Sequence, residues 1–369
     1  MKKNIIVAAL MLFSLVACAQ KEEFAVIYTT INGELIEIAE KELVQSHTLE
    51  NGKGKIVLKP DVTEIPQDLL IWGDDIITNV DVPKGIISIG NRAFRGFENL
   101  TGITISEGVK SIDAQAFQEC SRLKTITLPK SIIEIKPGAF QECSNLSSIN
   151  IPEGVTIIDK AIFAECSSLT SIIIPENVTL IDEYAFAECS SLTSITIPES
   201  VTSISKNAFS GCPSLTEFNG KFSSKDHRCL IIDGALVSFA PNDIVNYSIP
   251  EDVTSIGSAV FYNCSNLASI TIPVGVTSIG RFAFAGCSNL TNITIPENVT
   301  SIGESAFGFT ENLKEIYFKS IMPIELSDDI FKEANSDLKI YVPKESVDKY
   351  KAAEGWRDYA NMIEPYDFE

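Results

Sequence analysis

The sequence contains very little histidine: His47 and His227 are the only two in 369 residues. A histidine-based zinc site needs several imidazoles, and a catalytic Ser–His–Asp triad needs one imidazole beside a nucleophile. The two histidines lie in separate irregular segments, and the adjacent pair Asp226-His227 has no nucleophile in a suitable context. The sequence therefore predicts a protein that is not an enzyme, with no metal site and no cofactor.

Basic residues are also scarce, with 29 Lys and Arg against 49 Asp and Glu and a net charge of −20. Proteins that bind nucleic acid need clustered Lys and Arg, so this balance excludes that class. It also argues against docking of the protein body on an anionic lipid surface. Apart from the N-terminus, no apolar run is long enough to span a bilayer as a helix.

The N-terminus has the pattern of a targeting segment. Lys2 and Lys3 precede a short apolar run that ends at Leu15-Val16-Ala17-Cys18. This ending resembles the lipobox of bacterial lipoproteins, which implies a signal peptide at 1–17 and a lipid on Cys18. The alternative is an ordinary signal peptide cleaved near Ala17 or Ala19.

The residues that follow, 18–23, are expected to form a lipidated tether. Their segment Lys21-Glu22-Glu23 is similar to the surface-export signal of lipoproteins from one phylum of Gram-negative anaerobes. The resemblance implies an exported lipoprotein on the outer face of the outer membrane. A solvated, charged tether in the periplasm is the alternative.

A repeat of 23 residues dominates the rest of the chain. Phe recurs with this period, with one interruption, and a Leu follows each Phe by six positions; the nine Phe are Phe94, Phe117, Phe140, Phe163, Phe186, Phe209, Phe261, Phe284 and Phe307. In one copy, Ile195 and Ile197 alternate with Ser194 and Thr196, as in a strand with one buried face, and Pro198 ends that strand. A single copy cannot bury its apolar residues alone, so the pattern predicts stacked coils with a continuous core.

The repeat closely resembles the BspA-type leucine-rich repeat of bacterial surface proteins, over roughly residues 62–319. The resemblance implies a β-rich, right-handed leucine-rich-repeat solenoid of 23-residue coils. A parallel sheet lies on one face, the turns are short and helical or irregular, and both ends are capped.

The departures from the repeat define the expected organisation. Asn32-Gly33 predicts a hairpin in an N-terminal cap that covers the first sheet edge. Asp233-Gly234 predicts a hairpin that leaves the coil and rejoins it near Tyr247, serving either recognition or as a structural brace. The expected units are the cap at 24–61, coils at 62–219, the hairpin insertion at 220–248, coils at 249–319 and a C-terminal cap at 320–369.

Cysteine recurs at one repeat position, three residues after Phe. The members are Cys120, Cys143, Cys166, Cys189, Cys212, Cys264 and Cys287. Neighbouring coils would bring these residues close enough for disulfides. A column of one repeated residue is explained more simply by buried free thiols, since cysteine packs as a small apolar side chain.

Glu153, Glu176 and Glu199 form another column, after the strand prolines. Stacked carboxylates can attract Ca²⁺. However, Lys130 and Val274 occupy the same position in other copies, so we expect a solvated rim.

The exposed strand positions are the candidate binding face. They form two nearly uncharged columns rich in Ser and Thr, and extended faces of this kind are the binding surfaces of repeat solenoids. The alternative is that Ser and Thr are ordinary strand surface residues. The candidate residues are Thr104, Thr127, Asn150, Thr196, Thr271, Thr294, Tyr317, Ser148, Ser171 and Ser194.

The resemblance implies a non-catalytic, adhesin-like surface protein that binds a protein or host-surface ligand, and we expect it to be monomeric. The alternatives are an accessory cell-envelope lipoprotein that scaffolds a neighbouring protein, and a glycan-capture lipoprotein. Glycan capture would require exposed aromatic platforms, and Tyr317 is the one aromatic residue on the predicted face.

Overall fold

The structure, a computed structural model, describes residues 24–67, 69–70, 73–327 and 329–368. The chain winds into a parallel β-solenoid of about 13 turns with a spacing of ~23 residues, which confirms the predicted fold. Each regular coil has three sides: a longer strand, a short return strand, and a turn that carries the repeated Phe.

The longer strands stack in parallel and in register, so that Ile195 pairs with Phe218 and Ile293 with Ile316. Their alternation places one set of side chains in the core and the other at the surface. The row consists of β5 (Ile77–Val82), β7 (Gly102–Ile105), β9 (Thr125–Ile126), β11 (Ser148–Ile149), β14 (Ser194–Ile197), β16 (Glu217–Gly220), β19 (Asn246–Ser248), β21 (Ser269–Thr271), β23 (Asn292–Ile295), β25 (Glu315–Phe318), β27 (Lys339–Pro343) and β28 (Ile363–Tyr366).

The return strands form a second parallel row, which the sequence analysis did not anticipate as a sheet. Each regular strand has two residues, typically Ser at the surface and Ile in the core, as in the pairs Ser278–Ser301 and Ile279–Ile302. The row consists of β4 (Glu64–Ile65), β6 (Ser88–Ile89), β8 (Ser111–Ile112), β10 (Glu134–Ile135), β12 (Ile157–Ile158), β13 (Leu180–Ile181), β15 (Ser203–Ile204), β18 (Ala235–Phe239), β20 (Ser255–Ile256), β22 (Ser278–Ile279), β24 (Ser301–Ile302) and β26 (Glu325–Leu326).

The turns are joined by a third set of hydrogen bonds, which we call the turn ladder. The N–H of Phe117 donates to the carbonyl of Ala139 in the next coil over 2.8 Å, and the N–H of Glu119 donates to Gln141 over 2.9 Å. Glu119 has a left-handed backbone (φ 64°), and its counterparts in the other turns repeat this conformation. Alternating right- and left-handed residues point successive N–H groups of a turn to the same side.

The core is a continuous stack of the repeated aromatic and aliphatic side chains. Phe117 and Phe140 lie face to face, with ring centroids 5.3 Å apart, and both are fully buried. Burying a Phe side chain contributes about 1.5–3 kcal/mol, and offset stacking of two rings adds to it. Because each coil contacts mainly its neighbours, this column holds the solenoid together along its axis.

The N-terminal segment forms an antiparallel sheet of β1 (Ala25–Thr30), β2 (Val44–Glu50) and β3 (Lys53–Leu58). Strand β1 pairs with β5 and so adds the segment to the edge of the longer-strand row. The prediction of a hairpin turn at Asn32-Gly33 is wrong. The hairpin joins β2 to β3 through Asn51 and Gly52, whose φ values of 52° and 77° suit a tight two-residue turn.

The insertion forms the predicted hairpin of β17 (Cys229–Ile232) and β18, joined by Asp233 and Gly234. The expectation that it leaves the coil is wrong. Strand β18 pairs in parallel with β20, and Leu230, Leu236 and Phe239 are buried. The hairpin belongs to the core because its alternating apolar residues take the place of a return strand.

The C-terminal segment extends the stack through β27 and β28. The helix α1 (Val347–Ala352) and the 3-10 helices Lys344–Ser346 and Arg357–Met362 pack beside these strands; a third 3-10 helix, Lys41–Leu43, lies near the N-terminus. Trp356 is fully buried, and its indole N–H donates to the carbonyl of Ile324 over 2.9 Å. This anchor covers the final coils of the solenoid.

Candidate functional site

The candidate site is the outer surface of the longer-strand row, which we call the strand face. All ten residues singled out from the sequence lie on it. Eight are exposed, and Ser194 and Tyr317 are partly buried. The register Thr294–Tyr317–Tyr341 shows that one of the two columns continues into the C-terminal segment.

The hydroxyl groups of the strand face are open to a ligand. Within the described part of the chain, no hydrogen bond engages the side chains of the eight Ser and Thr candidates. Neighbouring hydroxyls behave differently: Thr193 Oγ1 donates to the carbonyl of Thr170 over 3.3 Å, and Thr216 Oγ1 donates to Thr193 over 2.8 Å. The candidate hydroxyls are Thr104, Thr127, Ser148, Ser171, Ser194, Thr196, Thr271 and Thr294.

Asn150 has a structural role on this face. Its Nδ2 donates to the carbonyl of Leu128, and its Oδ1 accepts from the N–H of the same residue, both over 2.9 Å. The side chain takes the place of strand pairing, because β9 and β11 are short and end before these positions. Asn150 is therefore already engaged and offers a ligand less than the hydroxyls do.

The middle of the strand face is apolar. Ile173 is 84% exposed, the largest exposed fraction among the large exposed hydrophobic residues, and it lies between Asn150 and Thr196 in its column. The coil that contains it has no assigned longer strand among the described residues. A single exposed Ile needs no special explanation, yet here it adds apolar contact area to a polar face.

The C-terminal end of the strand face carries four aromatic side chains, which we call the aromatic cluster: Tyr317, Tyr341, Tyr366 and Phe368. The rings of Tyr317 and Tyr341 stack with centroids 4.8 Å apart. Tyr366 meets Tyr317 edge-on at 5.0 Å and lies 4.8 Å from Phe368. Tyr366 is 42% exposed, so the cluster presents aromatic surface to solvent.

Sequence reasoning found one member of this cluster and missed three. The missing signal was register: Tyr341 follows Tyr317 by 24 residues, and β28 places Tyr366 beside Pro343. These spacings depart from 23, so the two segments do not read as repeats. The conclusion that the face lacks aromatic anchors apart from Tyr317 is wrong for this end.

The cluster borders an open cavity of 790 Å³ that Thr294, Glu297 and Lys319 also line. Tyr317 donates its hydroxyl proton to Glu315 Oε2 over 2.9 Å. Burial, followed by this hydrogen bond to a carboxylate, raises the pKa of Tyr317 to about 12. The phenol is therefore neutral at physiological pH, with its ring available for contact.

The hairpin contains a group of reactive side-chain types that do not form a catalytic arrangement. Tyr247 donates to Asp226 Oδ2 over 2.9 Å and lies 3.1 Å from Cys229 Sγ. Burial raises the pKa of Cys229 to about 12, which suppresses the nucleophilic thiolate. His227 directs Nδ1 at the carbonyl of Phe218, 3.1 Å away.

The repeat cysteines are buried free thiols, as are all eight described cysteines. Burial raises their pKa values, for example that of Cys287 to about 12. Cys18 lies outside the described residues. Among the described residues, no group of three or more His, Cys, Asp and Glu is placed to hold a metal ion, and no helix has the length and apolar character to cross a membrane.

Three solved structures illustrate the similarity of the fold. A leucine rich cell surface protein from Faecalibacterium prausnitzii is 27% identical, with a TM-score of 0.65, over 89% of this chain and 90% of that one. A leucine-rich repeat protein from Eubacterium ventriosum is 24% identical, with a TM-score of 0.55, over 86% and 78%. The pneumococcal vaccine antigen PcpA is 19% identical, with a TM-score of 0.52, over 88% of each chain.

Among curated proteins, none matches the chain significantly. The family model for the BspA type leucine rich repeat region matches in six copies, over residues 63–175, 156–226 and 237–351, which is well over half of the sequence. The chain belongs to the BspA-type leucine-rich-repeat family.

Proposed function

We propose that the chain is a non-catalytic cell-surface protein that binds a protein ligand on the strand face. The observation that carries the proposal is the combination of unengaged hydroxyls along the face with the aromatic cluster at its end. Tyrosine is enriched among the residues that dominate binding energy in protein interfaces. The similarity to a cell-surface protein at 27% identity supports the location.

The ligand class follows from the chemistry of the face. The columns carry little charge, so attraction between opposite charges contributes little to binding there. Hydroxyls that donate and accept, next to an exposed Ile173 and aromatic rings, suit a partner with a mixed polar and apolar surface. An adhesin-like role toward host matrix, mucin or another microbe is consistent with this surface.

Cys18 and the segment Lys21-Glu22-Glu23 carry the proposal of attachment. A lipid on Cys18 would tether the solenoid to the outer face of the outer membrane, with the short charged segment as spacer. Protease treatment of intact cells tests this: the protein should be degraded while a periplasmic marker stays intact. Full protection of the protein would place it in the periplasm and favour the accessory envelope role.

A second candidate function is glycan capture, which the aromatic cluster favours. Tyr317, Tyr341 and Tyr366 offer ring surfaces beside an open cavity with polar groups at its rim. A glycan array separates the two functions, because glycan binding that is lost in Tyr366→Ala would support capture.

The direct test of protein binding uses residues 24–369 as bait, against host matrix and against cell-envelope extracts. Thr196→Lys places a charge in the middle of the strand face, and Ser203→Lys places the same charge on the exposed return strand β15. A partner that Thr196→Lys loses and Ser203→Lys retains supports the proposal. Equal retention by both variants would show that the strand face is not the binding surface.

A further inference from the structure

The turn ladder is interrupted at one place, between the turn that contains Asn207 and the turn that contains Ala259. The insertion coil, which lies between them, has no turn of its own. From Ala235 to Asn246 the chain spans 11 positions, whereas their partners Ser255 and Ser269 are 14 positions apart. Because β18 stays extended and passes beneath the turns, one rung of the ladder is missing.

One wall of this gap consists of unpaired donors. In the preceding rung, the N–H of Phe186 donates to the carbonyl of Ala208 over 2.8 Å. The equivalent N–H groups of Asn207, Phe209 and Gly211 form no hydrogen bond with any described residue. Asn207 and Gly211 are left-handed, with φ values of 60° and 72°, so the three N–H groups point to the same side.

The opposite wall consists of unpaired acceptors. One coil further on, the carbonyls at the equivalent positions accept from the turn before them, as Ala283 does from Phe261 over 2.8 Å. The carbonyls of Ser258, Val260 and Tyr262 accept no hydrogen bond from the described residues. The gap therefore has three donors on one side and three acceptors on the other.

Two side chains at the gap are left without their expected partners. Cys212 donates to the carbonyl of Phe186, and five other repeat cysteines make the same contact, but Cys264 does not, because its acceptor would lie in the missing rung. The Oδ1 atom of Asn207 is buried and accepts no hydrogen bond. Unsatisfied buried polar groups cost about 1–3 kcal/mol each, so a ligand that pairs with them gains free energy.

The gap is a cavity of 180 Å³, which we call the slot. Val237, Ser238 and Phe239 of β18 line it. On the outside it adjoins a groove of 660 Å³ that includes Tyr184 and Tyr262. The slot is small, and the aromatic column is already filled beneath it, because Phe239 packs against Phe261 at 4.8 Å.

We propose that the slot binds a main-chain segment of a partner polypeptide, which supplies the missing rung. A peptide backbone carries carbonyls for the wall of Asn207, Phe209 and Gly211, and N–H groups for the opposite wall. The space admits small side chains, so the segment is rich in Gly and Ala. An anion would satisfy the donor wall alone, and it would lie near the carboxylate of Glu188, which also lines the slot.

This site lies on the turn side of the solenoid and is separate from the strand face. It therefore stands or falls independently of the proposed function. Its recognition mode is addition of a backbone segment to an open ladder, in which main-chain hydrogen bonds give affinity and the size of the slot gives selectivity.

Hydrogen–deuterium exchange of the purified protein, resolved to single amides, tests the proposal. The probe is the capped peptide acetyl-Gly-Ala-Gly-Ala-Gly-amide at millimolar concentration, and the control is the same peptide with N-methylated glycines. Before addition, the amides of Asn207, Phe209 and Gly211 should exchange much faster than Phe117. Near saturation the peptide should slow these three amides about tenfold, and the methylated peptide should have a much weaker effect.

A variant pair locates the effect. Ser258→Phe fills the slot and should abolish the slowing by the peptide. Ala114→Phe introduces the same side chain at the equivalent position of an intact rung, where the carbonyl of Ala114 accepts from Arg92, and should leave it unchanged. Exchange at Phe117 and Phe284 reports whether each variant retains the fold.

Three results would overturn the proposal. In the first, the three amides are as protected as Phe117 without a peptide, which means that the slot is closed. In the second, the peptide leaves their exchange unchanged. In the third, acetate or inorganic phosphate slows them as strongly as the peptide does, which would reassign the slot to small anions.

Discussion

The thiol of Cys166 donates a hydrogen bond to the carbonyl oxygen of Phe140 in the preceding coil, with 3.1 Å between Sγ and O. The contact recurs along the column and links the apolar core to the backbone of the turns. It gives the repeated cysteine a role that a small apolar residue cannot fill, because without the thiol a buried carbonyl would lose a donor.

Replacement of this cysteine should destabilise the solenoid. Cys166→Ala removes a hydrogen bond and a sulfur atom from a fully buried position, so we expect a loss of about 1–2 kcal/mol in the free energy of unfolding. Cys264→Ala is the matched control, since this thiol has no carbonyl acceptor, and it should cost less. Urea denaturation of both variants measures the difference, and equal losses would argue against the hydrogen bond.

The same column should resist thiol reagents in the folded protein. Burial raises the pKa of these cysteines, and the thiolate is the reactive form. Iodoacetamide should leave the repeat cysteines unmodified in native buffer and modify them all in denaturant, as mass spectrometry can show. Disulfide-linked cysteines in the native protein would contradict the free column.

The aromatic column should contribute the most to stability. Phe140 is fully buried between Phe117 and Phe163. Phe140→Ala leaves a cavity that neighbouring rings cannot fill, and we expect it to cost about 3–5 kcal/mol. Ile133→Ala removes an apolar side chain that is 58% exposed and should change stability by less than about 0.5 kcal/mol. Thermal denaturation compares the two.

Glu188 should make the solenoid less stable as pH rises. Burial, and then the nearby Glu165, raises the pKa of Glu188 above its ordinary value of 4.5. The folded chain therefore binds a proton more tightly than the unfolded chain does. Stability is highest below the unfolded pKa and is lost as pH rises through the folded pKa.

Glu188→Gln removes this titration. The variant should have a higher melting temperature than the parent at neutral pH, and the advantage should vanish in acid. Glu176→Gln, on the exposed rim, is the control and should show no such pH-dependent difference. An advantage for Glu188→Gln that is the same at both pH values would point to a cause other than ionisation.

His47 should have the opposite pH dependence in the N-terminal sheet. Its Nε2 lies 2.6 Å from the hydroxyl oxygen of Tyr28, and burial lowers the pKa of the imidazole below 6.5. The stability that neutral His47 provides is present above the unfolded pKa and is lost as pH falls through the folded pKa. Exchange of the β1 and β3 amides should accelerate on acidification in the parent more than in His47→Gln, after correction for intrinsic rates.

The repeat made the solenoid predictable because every coil presents the same local pattern. Phe209 had to turn inward, and Ile195 and Ile197 had to share a face, from alternation and period alone. The strand-face residues could be selected for the same reason, because the positions between core residues point outward. The engagement of Asn150 could not, since it depends on where a neighbouring strand ends.

The features outside the period were harder to predict. Asn32-Gly33 and Asn51-Gly52 carry equivalent turn signals, and pairing of β2 with β3 selects the second one. The hairpin at Asp233-Gly234 was recognised, but its pairing with β20 is a tertiary contact that no local signal encodes. The aromatic cluster escaped notice because β27 and β28 continue the stack with altered spacings.

Binding of a protein ligand should depend on the rings of the aromatic cluster more than on their hydroxyls. Tyr366→Ala removes an exposed ring and should weaken binding about tenfold or more, the scale of a dominant interface residue. Tyr317→Phe keeps the stack on Tyr341 and loses the hydrogen bond to Glu315, so it should bind nearly as well as the parent. Surface plasmon resonance with the captured partner distinguishes them, and a greater loss for Tyr317→Phe would contradict this ranking.

Site-specific photo-crosslinking on intact cells is the most direct test of the strand face as the binding surface. Benzoylphenylalanine is placed at Thr196 on the strand face, and in a second protein at Ser203 on the return row, before illumination in the presence of host matrix or partner cells. The account predicts adducts to a defined partner from position 196 and none from position 203. Adducts from 203 with none from 196 would contradict it.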